Sequence, residues 1–182
     1  MPSKTMSKFI VLDRDGVIIE DSGYVHKIED LKILPNAISG LKLFRDAGCR
    51  FIVVTNQAGL ARGIFTSDQF DSFQNELLKQ LKVEGINIDK IYHCPHHPKF
   101  TGECECRKPS IGMVRAAEKE FGFDSSNAIF IGDKDSDTEL GKNCMAITVL
   151  VENGRYDNSV QPDFRAKDLK QAFELLRSAK TI

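Results

Sequence analysis

Short apolar runs alternate along this chain with segments whose apolar residues recur every three or four positions. The apolar, β-branched runs predict five strands: Phe9–Leu12, Phe51–Thr55, Ile91–His93, Ala128–Ile131 and Ile147–Val151. The helical spacing predicts helices at Ala37–Ala47, Ser67–Val83, Ser110–Phe121, Asp135–Asn143 and near Ala166–Ser178. Strands that are apolar throughout and separated by helices predict an α/β protein. The expected architecture is a Rossmann-like parallel sheet with helices on both faces.

Two segments break this alternation, and one further connection is interpreted as a loop. Residues 17–34 are too many for a plain connection and predict a hairpin or flap, and ordered insertions of this kind often gate a substrate site. Residues 94–109 hold a cluster of cysteine and histidine, and Asn153–Asp163 is interpreted as a surface loop. We therefore expect one domain over residues 1–182, without a separate large cap domain.

Composition and charge narrow the class of protein. The chain has 182 residues, of which 41% are hydrophobic and 28% charged, as in ordinary globular proteins. Its formal net charge of −1 disfavours a nucleic-acid partner. No apolar run is long enough to span a bilayer, and no apolar signal core follows the polar segment Met1–Lys8. We expect a cytoplasmic protein with no membrane partner.

Acidic residues follow two of the predicted strands. Asp13 and Asp15 come after the first strand and Asp133 after the fourth, while Thr55 ends the second. Ligands of parallel sheets bind at the carboxyl ends of the strands, so these side chains should meet at one edge. A single Asp-x-Asp is more simply explained by the preference of Asp for turns. Two acidic clusters instead favour a site for Mg²⁺, which prefers oxygen ligands and relieves their repulsion.

Phosphoryl transfer needs an in-line nucleophile, positive charge for the phosphoryl oxygens and an acid for the leaving group. Asp13 can be the nucleophile and form an acyl phosphate, and Asp15 can act as general acid and then base. Thr55 and Lys108 can hold the phosphoryl oxygens. The sequence therefore predicts a magnesium-dependent phosphomonoester hydrolase.

The cysteine cluster predicts a second metal. Cys94 and His96 are separated by one residue, as are Cys104 and Cys106, and three thiolates with one imidazole suit tetrahedral Zn²⁺. With no open position for water, such a site is structural, and it would fix where the following Arg107 and Lys108 point. His97 is an alternative ligand. The remaining cysteines, Cys49 and Cys144, are expected to be inert core thiols.

Four motifs, in order, resemble those of the haloacid dehalogenase superfamily: Asp13–Gly16, Thr55–Gln57, Lys108 and Gly132–Asp137. Further segments resemble the heptose-bisphosphate phosphatase family within it: Gly23–His26, Thr55–Gly63, Cys94–Pro98 and Cys104–Pro109. Two departures are that Ala58 stands where this family is expected to have Ser, and that the loop between His96 and Cys104 is short.

The resemblance implies the haloacid dehalogenase fold and a set of roles. Mg²⁺ would bind Asp13, the backbone carbonyl of Asp15, and Asp133, with Asp137 in or near the outer shell. The implied substrate contacts are Asp21, Ser22, Gly23, Tyr24, Asn56, Gln57, Ala58, Arg107 and Lys134.

The resemblance also implies a reaction, the removal of the 7-phosphate of a heptose 1,7-bisphosphate through an aspartyl-phosphate. That reaction serves nucleotide-activated heptose and lipopolysaccharide synthesis, and a monomer is expected. A histidinol-phosphate phosphatase is the alternative enzyme. A non-enzymatic, zinc-stabilised binding module for nucleic acid is a third possibility, but it leaves Asp13, Asp15 and Asp133 unexplained.

Overall fold

The computed structural model describes residues 7–182, so most of the polar segment Met1–Lys8 lies outside the described residues. In those residues six parallel strands form one sheet in the order β3-β2-β1-β4-β5-β6. The strands are β1 Phe9–Leu12, β2 Arg50–Asn56, β3 Ile88–Cys94, β4 Ile129–Gly132, β5 Ile147–Val151 and β6 Phe164–Ala166. The helices are α1 Ala37–Asp46, α2 Ala58–Ala61, α3 Ser67–Val83, α4 Pro98–Thr101, α5 Gly112–Phe121, α6 Asp135–Asn143 and α7 Leu169–Ser178.

The sheet is buried on both faces because its central strands are apolar at every position. In β1, Ile10 and Leu12 pack into one cluster with residues of α1, α3 and α7. Phe9 and Val11 point the other way and pack with residues of α5 and α6. Successive side chains of a strand alternate between faces, so a continuous apolar run requires cover on both. This confirms the predicted α/β class.

Helix α3 begins and ends at the residues that the sequence predicted. The Thr66 hydroxyl accepts a hydrogen bond from Gln69 N at 3.2 Å, and the Gln69 side chain accepts one from Thr66 N at 2.9 Å. This reciprocal pair satisfies two backbone N–H groups that the first turn leaves free, which sets where the helix starts.

Some elements differ from the predictions, and those that were missed altogether are short. The strand β6 was not predicted, because three residues at a sheet edge carry too little periodicity to distinguish them from a loop. Its pairing with β5 delays the last helix to Leu169, where Asp168 accepts a hydrogen bond from Gln171 N. The single-turn helices α2 and α4 were also missed, and β3 begins three residues before the predicted strand.

Residues 17–34 fold back on themselves beside the carboxyl end of β1. Glu20 N donates to Lys32 O at 2.8 Å and Leu34 N donates to Ile18 O at 3.0 Å, which pairs the two arms in an antiparallel way. Val17, Ile18 and Ile19 are buried in the core. We call residues 17–34 the flap; its base is anchored in the core, and its tip at Ser22–Tyr24 is exposed.

The chain reverses its direction of travel across the sheet between β1 and β4, which are neighbours. Ligands of open α/β sheets bind at such a reversal, outside the carboxyl ends of the strands. None of the helices within residues 7–182 has the length and apolar character that crossing a membrane requires.

Candidate active site and cysteine–histidine cluster

The carboxylate of Asp13 lies at the carboxyl end of β1 and is almost fully buried. Its Oδ1 atom lies 2.9 Å from Lys108 Nζ and accepts a hydrogen bond from Arg14 N at 2.8 Å. Lys108 Nζ also lies 2.6 Å from Asp137 Oδ1 and donates to Val54 O at 2.9 Å. Burial by itself would lower the pKa of Lys108, but the carboxylates of Asp13 and Asp137 raise it. The lysine is therefore held as a cation beside Asp13.

Three buried carboxyls, those of Asp13, Asp133 and Asp137, have oxygens within 4.8 Å of one another. Burial, followed by the nearby charge of Asp13, raises the pKa of Asp133 to about 7. Its Oδ1 atom is buried without a hydrogen-bond partner in the described residues. Buried carboxylate oxygens almost always have a partner. Closely spaced oxygens with one left bare fit a Mg²⁺ ion, which binds oxygen ligands and would remove the repulsion.

Gly16, the residue after Asp15, allows the turn that follows β1 to lie close to the Asp133 side chain. Gly16 has a φ of +81°, and a Cβ atom built on it would lie 2.1 Å from Asp133 Oδ2. A side chain at this position would therefore displace the Asp133 carboxylate as well as strain the backbone.

Arg14 lies between the two acidic residues and is only 1% exposed. Its guanidinium holds both carboxylate oxygens of Asp15 at 2.9–3.2 Å and donates to Gln57 Oε1 at 3.1 Å and Gln74 Oε1 at 2.9 Å. It also lies 5.0 Å from the ring centroid of Phe73. Arg14 thus orients Asp15. No local pattern indicates this role, because a basic residue between two acidic ones is equally typical of a solvated turn.

The Thr55–Gln57 motif positions groups on both sides of the site. Gln57 Nε2 donates to Asp15 Oδ2 at 2.9 Å and to Thr55 Oγ1 at 2.8 Å. The Asn56 amide pairs with the main chain of Lys108, donating to its O at 3.2 Å and accepting from its N at 3.0 Å. The predicted phosphate-binding motif therefore also fixes the backbone that carries Lys108.

An open cavity of about 390 Å³ lies above these buried groups. Of the predicted site residues, it is lined by Asp15, Asp21, Gly23, Tyr24, Asn56, Gln57, Ala58, Arg107 and Lys134. The buried residues Asp13, Thr55, Lys108 and Asp133 are not in its lining, and neither is the exposed Ser22.

Sequence reasoning did not select five further residues of the cavity wall. Arg14 and Val25 lie within motifs that were recognised, and the other three are Ser136, Arg155 and Tyr156. Ser136 lies within a motif that was recognised, between Asp135 and Asp137. Arg155 and Tyr156 lie in the segment interpreted as a surface loop, and no local pattern could have selected them.

The flap meets basic residues across the cavity. Lys134 Nζ lies 3.4 Å from Asp21 Oδ2 and 3.7 Å from Asp133 Oδ1. Burial acts to raise the pKa of Asp21, but the hydroxyl of Tyr156 and the charge of Lys134 outweigh it and lower that pKa. Asp21 is therefore an anchored carboxylate on the cavity wall.

The side chains of Cys94, His96, Cys104 and Cys106 converge, with one potential ligand atom from each within 4.8 Å of the others. His96 presents Nδ1, which lies 3.2 Å from Cys106 Sγ and 3.8 Å from Cys94 Sγ. Burial raises the pKa of the Cys94 thiol, so a thiolate there needs a cation nearby. The donor set fits Zn²⁺. His97 instead accepts from Lys99 N and lies outside the cluster.

Comparison with known proteins identifies a related family and fold. A family model described as HAD-hydrolase-like matches residues 105–172. A solved D,D-heptose 1,7-bisphosphate phosphatase from B. bronchiseptica, complexed with magnesium and phosphate, superposes with a TM-score of 0.84. It is 28% identical and covers 94% of this chain and 99% of its own. The sheet, its carboxylates and these matches define a phosphatase of the haloacid dehalogenase type.

Relatives that match over nearly their whole length identify the family within this class of phosphatase. The D-glycero-beta-D-manno-heptose-1,7-bisphosphate 7-phosphatase of Pasteurella multocida is 36% identical, over 97% of this chain and all of its own length. The corresponding alpha-anomer enzyme of Campylobacter jejuni is 38% identical, over 94% of this chain and 96% of its own. The chain belongs to the family of D-glycero-D-manno-heptose-1,7-bisphosphate 7-phosphatases.

Proposed function

We propose that this chain hydrolyses the 7-phosphate of D-glycero-D-manno-heptose 1,7-bisphosphate, as a step in making nucleotide-activated heptose. The observation that carries the proposal is the contact of Asp13 with Lys108, beside Asp133 and beneath a cavity lined by Arg107 and Lys134. A buried nucleophile beside a fixed cation, below a cationic cavity, suits a substrate with two phosphates. The related enzymes with this specificity supply the identity of the sugar.

In the first half-reaction, an oxygen of the Asp13 carboxylate attacks phosphorus, and the bond from phosphorus to the sugar O7 breaks. The Asp13 Oδ1 atom is held by Lys108 and Arg14 N, and no hydrogen bond from the described residues reaches Oδ2. We assign the attack to Oδ2 for that reason. Asp15 gives its proton to the departing O7, and the product is an aspartyl-phosphate.

In the second half-reaction, a water molecule attacks the phosphorus of the aspartyl-phosphate and gives a proton to the Asp15 carboxylate. The bond from phosphorus to the Asp13 oxygen breaks, which restores the Asp13 carboxylate and releases inorganic phosphate. Arg14 and Gln57 hold Asp15 in one orientation for both proton transfers. The Thr55 hydroxyl donates to a phosphoryl oxygen, and the positive charge of Lys108 stabilises the charge on the phosphoryl group in both half-reactions.

The enzyme is magnesium-dependent. Asp13, Asp133 and the backbone carbonyl of Asp15 would hold the ion, with Asp137 beside them. When bound, Mg²⁺ neutralises charge on the phosphoryl oxygens. This chain's own residues then place the substrate and move the proton.

Arg107 is the best candidate to bind the second phosphate. It lines the cavity and forms no ion pair with another described residue, whereas Lys134 and Arg155 both face Asp21. Its Nη1 donates to His96 O at 3.1 Å, which leaves the other donors of the guanidinium for a phosphate. Flap residues Asp21–Tyr24 and the backbone of residues 56–58 supply contacts to the sugar.

We propose further that Cys94, His96, Cys104 and Cys106 hold a structural Zn²⁺. The support is their convergence and the bond from Arg107 to the carbonyl of His96, one of the four ligands. A bound ion would hold this loop in the geometry that presents Arg107 and Lys108, and so reduce the ordering cost of binding a phosphate.

A side-by-side assay of phosphate release tests the function. We expect much faster turnover of heptose 1,7-bisphosphate than of histidinol phosphate, and a histidinol phosphate preference would refute the proposed substrate. Asp13→Asn should abolish turnover while the protein stays folded. Asp46→Asn is the matched control, because Asp46 is an exposed carboxylate that pairs with its neighbour Arg45. Retained turnover in Asp13→Asn would refute the mechanism.

Three expectations of the sequence stay predictions: a monomer, a single domain and a cytoplasmic location. Light scattering should give the mass of one chain, and unfolding should follow a single transition.

A further inference from the structure

The segment after β5 closes one side of the cavity. Asn153 Nδ2 donates to Asp133 Oδ2 at 2.8 Å, and Asn158 Nδ2 donates to Asp133 O at 2.9 Å. Between these two anchors, Arg155 and Tyr156 contact Asp21 of the flap and line the cavity. We call residues 153–158 the strap. It joins the flap to the carboxylate cluster.

The neighbours of the Tyr156 hydroxyl determine which hydrogen bond it accepts and which it donates. Arg155 Nε lies 3.1 Å from it, and an arginine can only donate, so the phenol oxygen accepts this bond. The phenol proton is then free to be donated to Asp21 Oδ2, at 2.7 Å. The ring of Tyr156 also faces a cation, since Lys134 Nζ lies 4.8 Å from its centroid.

These contacts hold the Asp21 carboxylate but leave it able to accept a further hydrogen bond. Its Oδ1 atom accepts from Gly23 N at 3.0 Å, while Oδ2 accepts from Tyr156 and faces Lys134. A carboxylate oxygen can accept about two hydrogen bonds. Oδ1 therefore keeps one acceptor position on the cavity wall. An oriented acceptor beside a cation is suited to a sugar hydroxyl close to a phosphate.

We infer that Tyr156 is a specificity-determining positioning residue, which holds Asp21 and Lys134 so that they recognise the hydroxylated carbon chain of the substrate. This inference rests on the proposed function and assigns the recognition to a residue that acts through others. Tyr156 lies 135 positions from Asp21, in a segment without a recognised motif.

The test compares Tyr156→Phe with the wild-type enzyme on two substrates. Heptose 1,7-bisphosphate has the hydroxyl chain, and 4-nitrophenyl phosphate lacks it. We expect KM for heptose bisphosphate to rise roughly tenfold. This factor corresponds to the lower end of the free energy of a hydrogen bond to a charged group. We take the lower end because Gly23 and Lys134 still hold Asp21. The kcat value should change less than twofold, as should both constants for 4-nitrophenyl phosphate.

Tyr92→Phe is the matched control, because its hydroxyl also donates to a carboxylate, Glu120 at 2.6 Å, away from the cavity. It should leave all constants unchanged. An unchanged KM in Tyr156→Phe, or an equal loss on both substrates, would overturn the inference. Failure of the proposed function itself is distinguishable, because the wild-type enzyme would then not hydrolyse heptose bisphosphate.

Discussion

The buried guanidinium of Arg14 allows a comparison of stability between two arginines with similar neighbours. Arg14 pairs with Asp15 and lies over the rings of Phe70 and Phe73. Arg50 pairs with Asp89 at 2.7 Å and lies over the rings of Phe9 and Phe121. The two differ in burial, because the Arg14 side chain is 1% exposed and that of Arg50 is 39% exposed. Replacing each with Met removes the charge and keeps an unbranched apolar stem.

Burial should decide the cost of each change. Breaking a buried ion pair costs about 3–5 kcal/mol. Asp15 keeps some solvent contact, with 14% of its side chain exposed, so we take the lower end, about 3 kcal/mol, for Arg14→Met. A surface pair is worth at most about 1 kcal/mol, which is our expectation for Arg50→Met. For a chain of this length, the fall in Tm should be about 6–12 °C for Arg14→Met and about 2–4 °C for Arg50→Met.

Urea unfolding, followed by circular dichroism, gives both free energies of unfolding, and scanning calorimetry gives both Tm values. Arg14→Met should also lower kcat, because Asp15 loses its orientation, whereas Arg50→Met should leave it unchanged. Equal losses of stability in the two variants would refute the argument that the burial of Arg14 makes it costly to remove.

Three further predictions concern the metals. Asn153→Ala should weaken Mg²⁺ binding roughly tenfold in calorimetric titration, because Asn153 orients Asp133. The control Asn127→Ala, at the surface, should leave the affinity unchanged. Equal affinities of the two variants for Mg²⁺ would contradict this role of Asn153. In magnesium-free buffer, the pKa of Asp133 is raised in the folded state, so between about pH 4 and 7 the folded state binds a proton that the unfolded state has lost. The contribution of Asp133 to the free energy of unfolding should therefore fall as the pH rises through this range. Added Mg²⁺ should therefore raise Tm more at pH 8 than at pH 5, and the reverse order would count against the carboxylate cluster as the ion's site. Cys106→Ser should remove bound zinc, as measured by mass spectrometry, and should raise KM more than it lowers kcat. The control Cys49→Ser should keep the zinc. Full zinc content in Cys106→Ser would exclude this ligand set.

Elements with long periodic patterns could be predicted from the sequence. Helix α3 has its apolar face, its cap at Thr66 and its end within one continuous segment. The same holds for Asp13 and Asp133, because each directly follows an apolar strand, and parallel strands bring their carboxyl ends to one edge. Short elements could not be predicted, because β6 exists only through its pairing with β5. The selection of Asp13, Asp15, Lys108 and the cysteine cluster as candidates thus depended only on local order and spacing.

Only the tertiary structure decided how these groups are oriented. The carboxylate of Asp15 is held by its neighbour Arg14. Arg14 in turn donates hydrogen bonds to Gln57 and Gln74, which lie 43 and 60 positions further along the chain. Asn56 clamps the main chain of Lys108 from 52 positions away. Tyr156 reaches Asp21 across 135 positions. Local patterns record which side chain follows which strand, because that depends on periodicity along the chain. They do not record hydrogen bonds between distant segments, because those depend on how the flap and the strap pack over the finished sheet.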